Sequence, residues 1–179
     1  MPSAKDREDM LKDQDVIDVE IFEQLVDLGE DDEGFLEDII QDWINQAKDK
    51  FEDMDKLLKE ESLLELSRAA HSLKGSSSQL GAQKLKDSCG RLQHYGELWD
   101  EDKDELKTKN MTEEEAIKRI KPLLVTAKTE YAEARHWMKT YLGITESDDG
   151  SEPDIPKPVD KAEEKAKSVS APSKIQVTA

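Results

Sequence analysis

Residues 63–80 read LLELSRAAHSLKGSSSQL, and the spacing of apolar and small side chains in this stretch decides the fold. These side chains recur every three or four residues, which is the period of an α-helix and not of a β-strand. The face they define consists of Leu63, Leu66, Ala70, Leu73, Ser77 and Leu80. Because only one face is apolar, this predicted helix must pack against other helices.

The same spacing recurs on both sides of this stretch and predicts three further amphipathic helices. The N-terminal one has the apolar face Leu36, Ile40, Trp43, Ala47, Phe51, Met54 and Leu58. The two C-terminal ones have the faces Leu85, Cys89, Leu92, Gly96 and Trp99, and Ile117, Ile120, Leu124, Ala127, Tyr131, Ala134, Met138 and Tyr141. Four such helices with short connections predict an all-α protein built as an antiparallel four-helix bundle.

Local signals mark where these helices begin and end. The patterns Ser62-x-x-Glu65 and Thr112-x-x-Glu115 predict capping boxes at two helix starts, and Gly81 predicts a helix end after Leu80. Pro122 lies inside the last apolar pattern. Either the long helix begins there, or a shorter helix over 112–121 bends into it.

An additional short helix is predicted over residues 16–28, and it has two apolar sides. Val19, Phe22 and Val26 fall on one side, whereas Ile17, Ile21, Leu25 and Leu28 fall on another, about 140° away at 100° per residue. One side is expected to pack on the bundle. The other is either covered by the fold as well or left for a partner, and the spacing alone leaves both alternatives open.

Composition and charge narrow the classes of partner. The 179 residues include 26 Lys and Arg against 43 Asp and Glu, a net charge of −17, and residues 1–33 alone carry 13 acids against 3 bases. This charge repels nucleic acid and anionic membranes, so protein partners are expected. The single cysteine, Cys89, excludes an intramolecular disulfide, and no apolar run is long enough for a membrane span or signal peptide, so we expect a soluble intracellular protein.

The chain divides into three predicted parts. Residues 1–14 are expected to be a flexible acidic segment, and residues 15–145 to be the folded domain. Residues 146–179 contain four of the six prolines, 8 acids and 5 bases. With few large apolar residues to offset the entropy of ordering, they are predicted to be a disordered tail.

The three histidines are the first candidates for chemistry. His71, His94 and His136 are not spaced four residues apart and no cysteine cluster accompanies them, so no metal site is predicted. On the helical wheel His71 lies about 140° from the centre of its apolar face and therefore points outward. Its neighbours on the same face are Ser67, Lys74, Gly75 and Ser78.

Gly75 lies one turn after His71, where a mid-helix glycine costs about 1 kcal/mol relative to alanine. One explanation is clearance for a bulky group or a second protein at the imidazole, which is a competent nucleophile and phosphoryl acceptor. Lys74 would then partly neutralise the about two negative charges of the added phosphoryl group. The other explanation is an incidental, solvated histidine. No Walker or kinase glycine loop is present, so His71 is not expected to take a phosphoryl group from ATP.

The segment HSLKGSSSQLG, residues 71–81, closely resembles the signature of histidine-containing phosphotransfer (HPt) domains, specifically the fungal stand-alone type. The similarity extends to WINQA at 43–47, RLQ at 91–93 and ARHWMKTY at 134–141. It covers about residues 15–143. The resemblance therefore implies the helical bundle that the apolar periodicity predicts independently.

The resemblance also implies roles for individual residues. His71 matches the phosphoacceptor, Lys74 the cation beside it, Gly75 the clearance residue and Ser76 the small polar residue that follows. Gln93 matches a glutamine that hydrogen-bonds at the histidine. The hydrophobic dock for receiver domains corresponds to Ile21, Leu25, Leu28 and Ile39. Glu97 is a departure, because fungal relatives can have a basic residue there.

The activity implied is that of a phosphorelay intermediate without kinase activity. Such a protein accepts a phosphoryl group from the receiver domain of a hybrid sensor histidine kinase and passes it to the receiver domains of response regulators. The receivers supply Mg²⁺, and the chain needs no cofactor. We further expect a monomer, a cytoplasmic and nuclear location, and a role in osmotic stress. The alternatives are a helical adaptor with an incidental His71 and, less favoured without an ATP-binding glycine loop, a kinase dimerisation helix pair.

Overall fold

The computed structural model describes residues 16–29, 34–103 and 109–144, together with Lys5, Arg7 and Met10. The described ranges contain five α-helices and no strand. The helices are α1 (Val19–Leu28), α2 (Phe35–Lys59), α3 (Leu63–Gln79), α4 (Gln83–Gly96) and α5 (Glu113–Leu142). The predicted all-α class is therefore confirmed. The predicted tail, 146–179, and nearly all of the predicted N-terminal segment, 1–14, lie outside the described residues.

Helices α2 to α5 form the bundle. The pairs in extensive contact are α2 with α3, α3 with α4, α4 with α5, and α2 with α5, which closes a ring of four. Three-residue connections at 60–62 and 80–82 reverse the chain between α2, α3 and α4, so these neighbours are antiparallel. Within the described ranges, no helix combines the length and apolar character needed to cross a bilayer.

The core consists largely of the predicted apolar faces. Every position of the α3 face is buried, and on α5 only Ile117 is partly exposed. Two positions of the α2 face, Leu36 and Leu58, are partly buried and pack against the core. Trp99 is buried, but α4 ends at Gly96, so its predicted place on that helix is wrong. Residues after Gly96 enter the core from a loop.

The short helix α1 packs on the C-terminal end of α5. The Phe22 ring lies edge-on to Trp137 and Tyr141, with ring centroids 5.0 and 5.1 Å away. Asp18 caps α1 by accepting a hydrogen bond from the Ile21 N–H. Ile17 was grouped with Ile21, Leu25 and Leu28 on one side of this helix but is fully buried, because it precedes the helix and its side chain does not follow the helical wheel.

The four signals predicted to mark helix boundaries have different outcomes. Thr112 and Glu115 form the expected capping box. Ser62 is the N-cap of α3, but its side chain makes no capping hydrogen bond, so the capping box predicted at Ser62 is wrong. The reason is its backbone ψ of 68°, because the hydroxyl is presented to the helix at an extended ψ such as the 163° of Thr112. Pro122 lies within one continuous helix that begins at Glu113, so the alternative in which the long helix begins at Pro122 is wrong. Gly81 follows α3 with φ at +73°, as a helix-ending glycine should.

Candidate functional site

His71 lies in the middle of α3 and is exposed. Its helix neighbours Ala70 and Leu73 are fully buried, so the apolar face anchors the backbone while the imidazole faces solvent. The periodicity of the sequence predicts this arrangement. The position leaves the ring accessible to a second protein without disturbing the core.

Gln93 on α4 is the hydrogen-bond partner of His71. Its side-chain oxygen, Oε1, lies 3.1 Å from His71 Nδ1 and also accepts a hydrogen bond from Lys74 Nζ at 3.4 Å. The amide nitrogen of the same side chain donates to Glu97 Oε1 at 3.2 Å. The structure therefore brings together the predicted residues His71, Lys74 and Gln93.

These contacts determine which imidazole nitrogen carries the proton. An ionised carboxylate only accepts hydrogen bonds and an ammonium group only donates them. The end of the Gln93 side chain that contacts Glu97 must therefore be the amide nitrogen, and the end that contacts Lys74 must be the amide oxygen. Since that oxygen is an acceptor, the Nδ1 of His71 must donate to it, and the lone pair of the neutral ring is on Nε2.

Gly75 and Ser76 follow the histidine by one turn. A Cβ added at Gly75 would meet no heavy atom within 4 Å, so none of the residues that the structure describes requires a glycine there. Ser76 Oγ donates to the Leu73 carbonyl at 3.2 Å, back along its own helix. Ser76 therefore has no hydrogen bond to His71 in this structure, and the open space at Gly75 faces away from the bundle.

A shallow groove connects α1, α2 and α3 close to Ser76. Its lining includes apolar and polar residues, which are Leu25, Ile39, Asp42, Trp43, Gln46, Ser76, Gln79 and Leu80. Leu25 and Ile39, two of the four predicted docking residues, are thus brought together. Ile21, which is partly buried, and Leu28, which is 74% exposed, do not line the groove.

The other reactive side chains do not form a second centre. Burial raises the pKa of the Cys89 thiol to about 12, so the thiol stays protonated near neutral pH and is a poor nucleophile. His94 packs against Trp99 with ring centroids 4.3 Å apart, and His136 is exposed on α5. Among the described residues, no group of three or more His, Cys, Asp or Glu side chains is placed to hold a metal ion.

Two residues of the site were not predicted in their roles. Ser67, although polar, is buried and donates to Glu97 Oε1 at 3.1 Å. Glu97 thus bridges α3 and Gln93. The sequence placed Ser67 on the outward face next to His71, which is wrong because its pairing with Glu97, 30 positions away, buries it and could not be predicted from the spacing.

Comparison with known proteins gives concordant results. The Hpt domain family matches residues 38–124. The chain is 38% identical over 93 residues to the phosphorelay intermediate protein YPD1 of Candida albicans, which covers 52% of this chain and 50% of that protein. It is 37% identical over 92 residues to multistep phosphorelay regulator 1 of Schizosaccharomyces pombe, covering 51% of this chain and 31% of that protein.

A solved structure extends the match beyond the shared segment. The triclinic crystal form of Ypd1p superposes with a TM-score of 0.61 at 27% sequence identity, covering 72% of this chain and 94% of that one. The sequence matches, by contrast, span half or less of the length of the two curated relatives.

A helical bundle that exposes a histidine in the middle of one helix, holds its Nδ1 by a glutamine and places a lysine three residues later has the architecture of an Hpt domain. Residues 38–124 match this family of histidine-containing phosphotransfer domains. Within the family its similarity is to the stand-alone fungal phosphorelay intermediates represented by YPD1.

Proposed function

We propose that this protein is a phosphocarrier: His71 accepts a phosphoryl group from the aspartate of one receiver domain and passes it to the aspartate of another. The observation that carries the proposal is the hydrogen bond between Gln93 Oε1 and His71 Nδ1 on an exposed helix face. It leaves Nε2 as an unprotonated nucleophile that a partner can reach. The carrier consumes no ATP and has no kinase activity of its own.

The transfer step requires no general base from this chain. The Nε2 lone pair forms the N–P bond while the bond between phosphorus and the aspartyl oxygen breaks, and its electron pair leaves on the aspartate carboxylate. The proton stays on Nδ1 throughout. The positive charge that develops on the ring is stabilised by Gln93 Oε1, which already accepts from that N–H. Passing the group on reverses these steps.

Lys74 supplies positive charge beside the acceptor. A phosphohistidine adds about two negative charges at neutral pH. Lys74 Nζ lies 3.4 Å from the same Gln93 oxygen that holds His71, and the side chain is partly buried, which limits the solvent screening of its charge. Its role would be to stabilise the phosphorylated state rather than to react.

The groove lined by Leu25, Ile39 and Ser76 supports docking of a receiver domain. It lies on the side of α3 that carries Gly75, so a protein seated on it has open space through which to approach His71. Mixed apolar and polar lining suits a transient interface used by successive partners. In this proposal those partners are the receiver domain of a hybrid sensor kinase and those of response regulators, and they bring the Mg²⁺ that the transfer needs.

Incubation with a receiver domain carrying a radiolabelled aspartyl phosphate tests the proposal. We expect acid-labile label on the wild type and on His136→Gln, the control for a second exposed histidine on the surface. We expect none on His71→Gln, with an unchanged melting temperature because the side chain is exposed. Equal labelling of His71→Gln, or an unlabelled wild type, would favour the helical adaptor instead.

A further inference from the structure

We infer that Glu97 is a positioning residue for phosphoryl transfer: it sets the orientation of the Gln93 amide and thereby the tautomer of His71. The inference rests on the proposed phosphocarrier function. Glu97 does not touch the imidazole. It acts through Gln93, whose amide nitrogen donates to Glu97 Oε1 at 3.2 Å.

The position of Glu97 is set by a close approach of α3 and α4. A Cβ added at Gly96 would lie 2.6 Å from the Leu63 carbonyl oxygen and 2.8 Å from Ser67 Cβ. Only glycine allows the end of α4 to come this near, and the next residue is Glu97. The buried hydroxyl of Ser67 then donates to Glu97 Oε1 at 3.1 Å. One carboxylate oxygen thus accepts from both helices.

The Gln93 amide is asymmetric, so its orientation matters. Its two ends have opposite hydrogen-bonding capacity but nearly the same shape, so the side chain can turn over at little steric cost. With Glu97 present, turning would place the amide oxygen against a carboxylate and the NH₂ group against Lys74 Nζ. Both contacts would be repulsive. The amide oxygen is therefore kept on His71 Nδ1.

The orientation of the Gln93 amide decides which imidazole nitrogen of His71 can react. If the amide turned over, its NH₂ group would face Nδ1 and would favour the tautomer with the proton on Nε2. That tautomer has no lone pair on Nε2 to attack phosphorus. Without Glu97, Lys74 alone holds the amide oxygen, through a long 3.4 Å contact. The fraction of reactive tautomer should then decrease.

The test combines a structural and a functional readout on the full chain. Imidazole ¹⁵N NMR at alkaline pH reports which nitrogen of neutral His71 carries the proton, and single-turnover transfer from a phosphorylated receiver gives the rate. The variants are Glu97→Ala, which removes the acceptor, and Glu97→Gln, whose amide can itself turn over and therefore fixes the orientation of Gln93 less firmly. Ser67→Ala removes the second hydrogen bond to Glu97 and serves as an independent variant.

We expect the wild type to have the proton mainly on Nδ1, and Glu97→Gln to lie between the wild type and Glu97→Ala in both readouts. Glu97→Ala should shift protons toward Nε2 and lower the rate by roughly threefold to tenfold, the effect of one lost hydrogen bond. Ser67→Ala should change both in the same direction by less. An unchanged tautomer in Glu97→Ala would overturn the inference, and so would a shifted tautomer that leaves the transfer rate at the wild-type value.

These outcomes separate the inference from the proposed function. If Glu97→Ala shifts the tautomer although no variant, including the wild type, accepts a phosphoryl group, the positioning role stands and the phosphocarrier function fails. If the wild type transfers normally and Glu97→Ala matches it in both readouts, the function stands and the inference fails.

Discussion

The backbone N–H of Asp18 donates a 2.8 Å hydrogen bond to the carbonyl of Gly81. This bond connects the residue that caps α1 to the turn that follows α3. It thereby holds the helix that contributes Leu25 to the groove against the helix that carries His71. The surface proposed to bind receivers therefore depends on a turn six residues beyond Gly75.

Gly81→Ala is expected to destabilise the fold, and Gly75→Ala is its matched control. At Gly81 the φ of +73° costs an L-residue roughly 1–2 kcal/mol, and the new Cβ would lie 2.6 Å from the Asp18 carbonyl oxygen. At Gly75 the Cβ meets nothing, so alanine should stabilise the helix by up to about 1 kcal/mol. Urea unfolding measures both. Equal stabilities would contradict the structural difference between these glycines.

Gly75→Gln tests whether the open space at Gly75 serves the partner. The long side chain should raise the free energy of unfolding, since glutamine is the better helix former, and yet slow phosphoryl transfer by filling the approach to His71. Gly75→Ala, which fills little of that space, should transfer at a rate close to that of the wild type. A wild-type transfer rate for Gly75→Gln would remove clearance as the reason for a glycine at this position.

Leu25→Asp is expected to weaken receiver binding, because apolar anchors at the centre of an interface are worth about 2 kcal/mol or more when lost. Calorimetric titration with a receiver domain measures the affinity. Leu64→Asp is the control, since Leu64 is 56% exposed on α3 but does not line the groove. If both changes weaken binding equally, the groove is not the docking surface.

Phe22→Asp, one turn earlier on α1, should act on stability instead. Phe22 is fully buried against Trp137 and Tyr141, where an unpaired carboxylate costs several kcal/mol. Thermal unfolding should show a large decrease in melting temperature. Ile21→Asp, at the adjacent and only partly buried position, should decrease it much less. Similar losses for the two would mean that both sides of α1 pack on the bundle.

Lys74→Ala should shorten the lifetime of phosphorylated His71, because a cation beside the added negative charge is removed. The decay of phosphohistidine after removal of the donor receiver measures this. Lys84→Ala, an exposed lysine on α4, is the control for a general loss of positive charge. Equal decay rates for the two variants would exclude a specific role for Lys74.

Much of the bundle was predictable, because a helix buried on one face has apolar residues that recur every three or four positions in the sequence. The apolar face of α3 and the outward position of His71 both follow from that period. Ile17 did not follow it, because a helical wheel places a residue correctly only inside a helix, and α1 begins at Val19. Ser62 likewise fits a capping pattern by residue type, whereas its backbone angles do not present the hydroxyl.

The site was predictable only in part, for a related reason. Periodicity places residues on the face of one helix but does not give the register between two helices. Gln93 was identified through the family resemblance, and its contact with His71 spans 22 residues. The contact of Ser67 with Glu97 spans 30 residues and depends on the close packing at Gly96, which no sequence pattern indicates.

The most direct test of the account is which atom of His71 bears the phosphoryl group. Phosphorylated protein, labelled with ¹⁵N in its histidines, would be examined by ³¹P and ¹⁵N NMR. Because Gln93 holds the proton on Nδ1, the account predicts a phosphorus coupled to Nε2 of His71, with Nδ1 still hydrogen-bonded. A phosphoryl group on Nδ1, or on a residue other than His71, would contradict it.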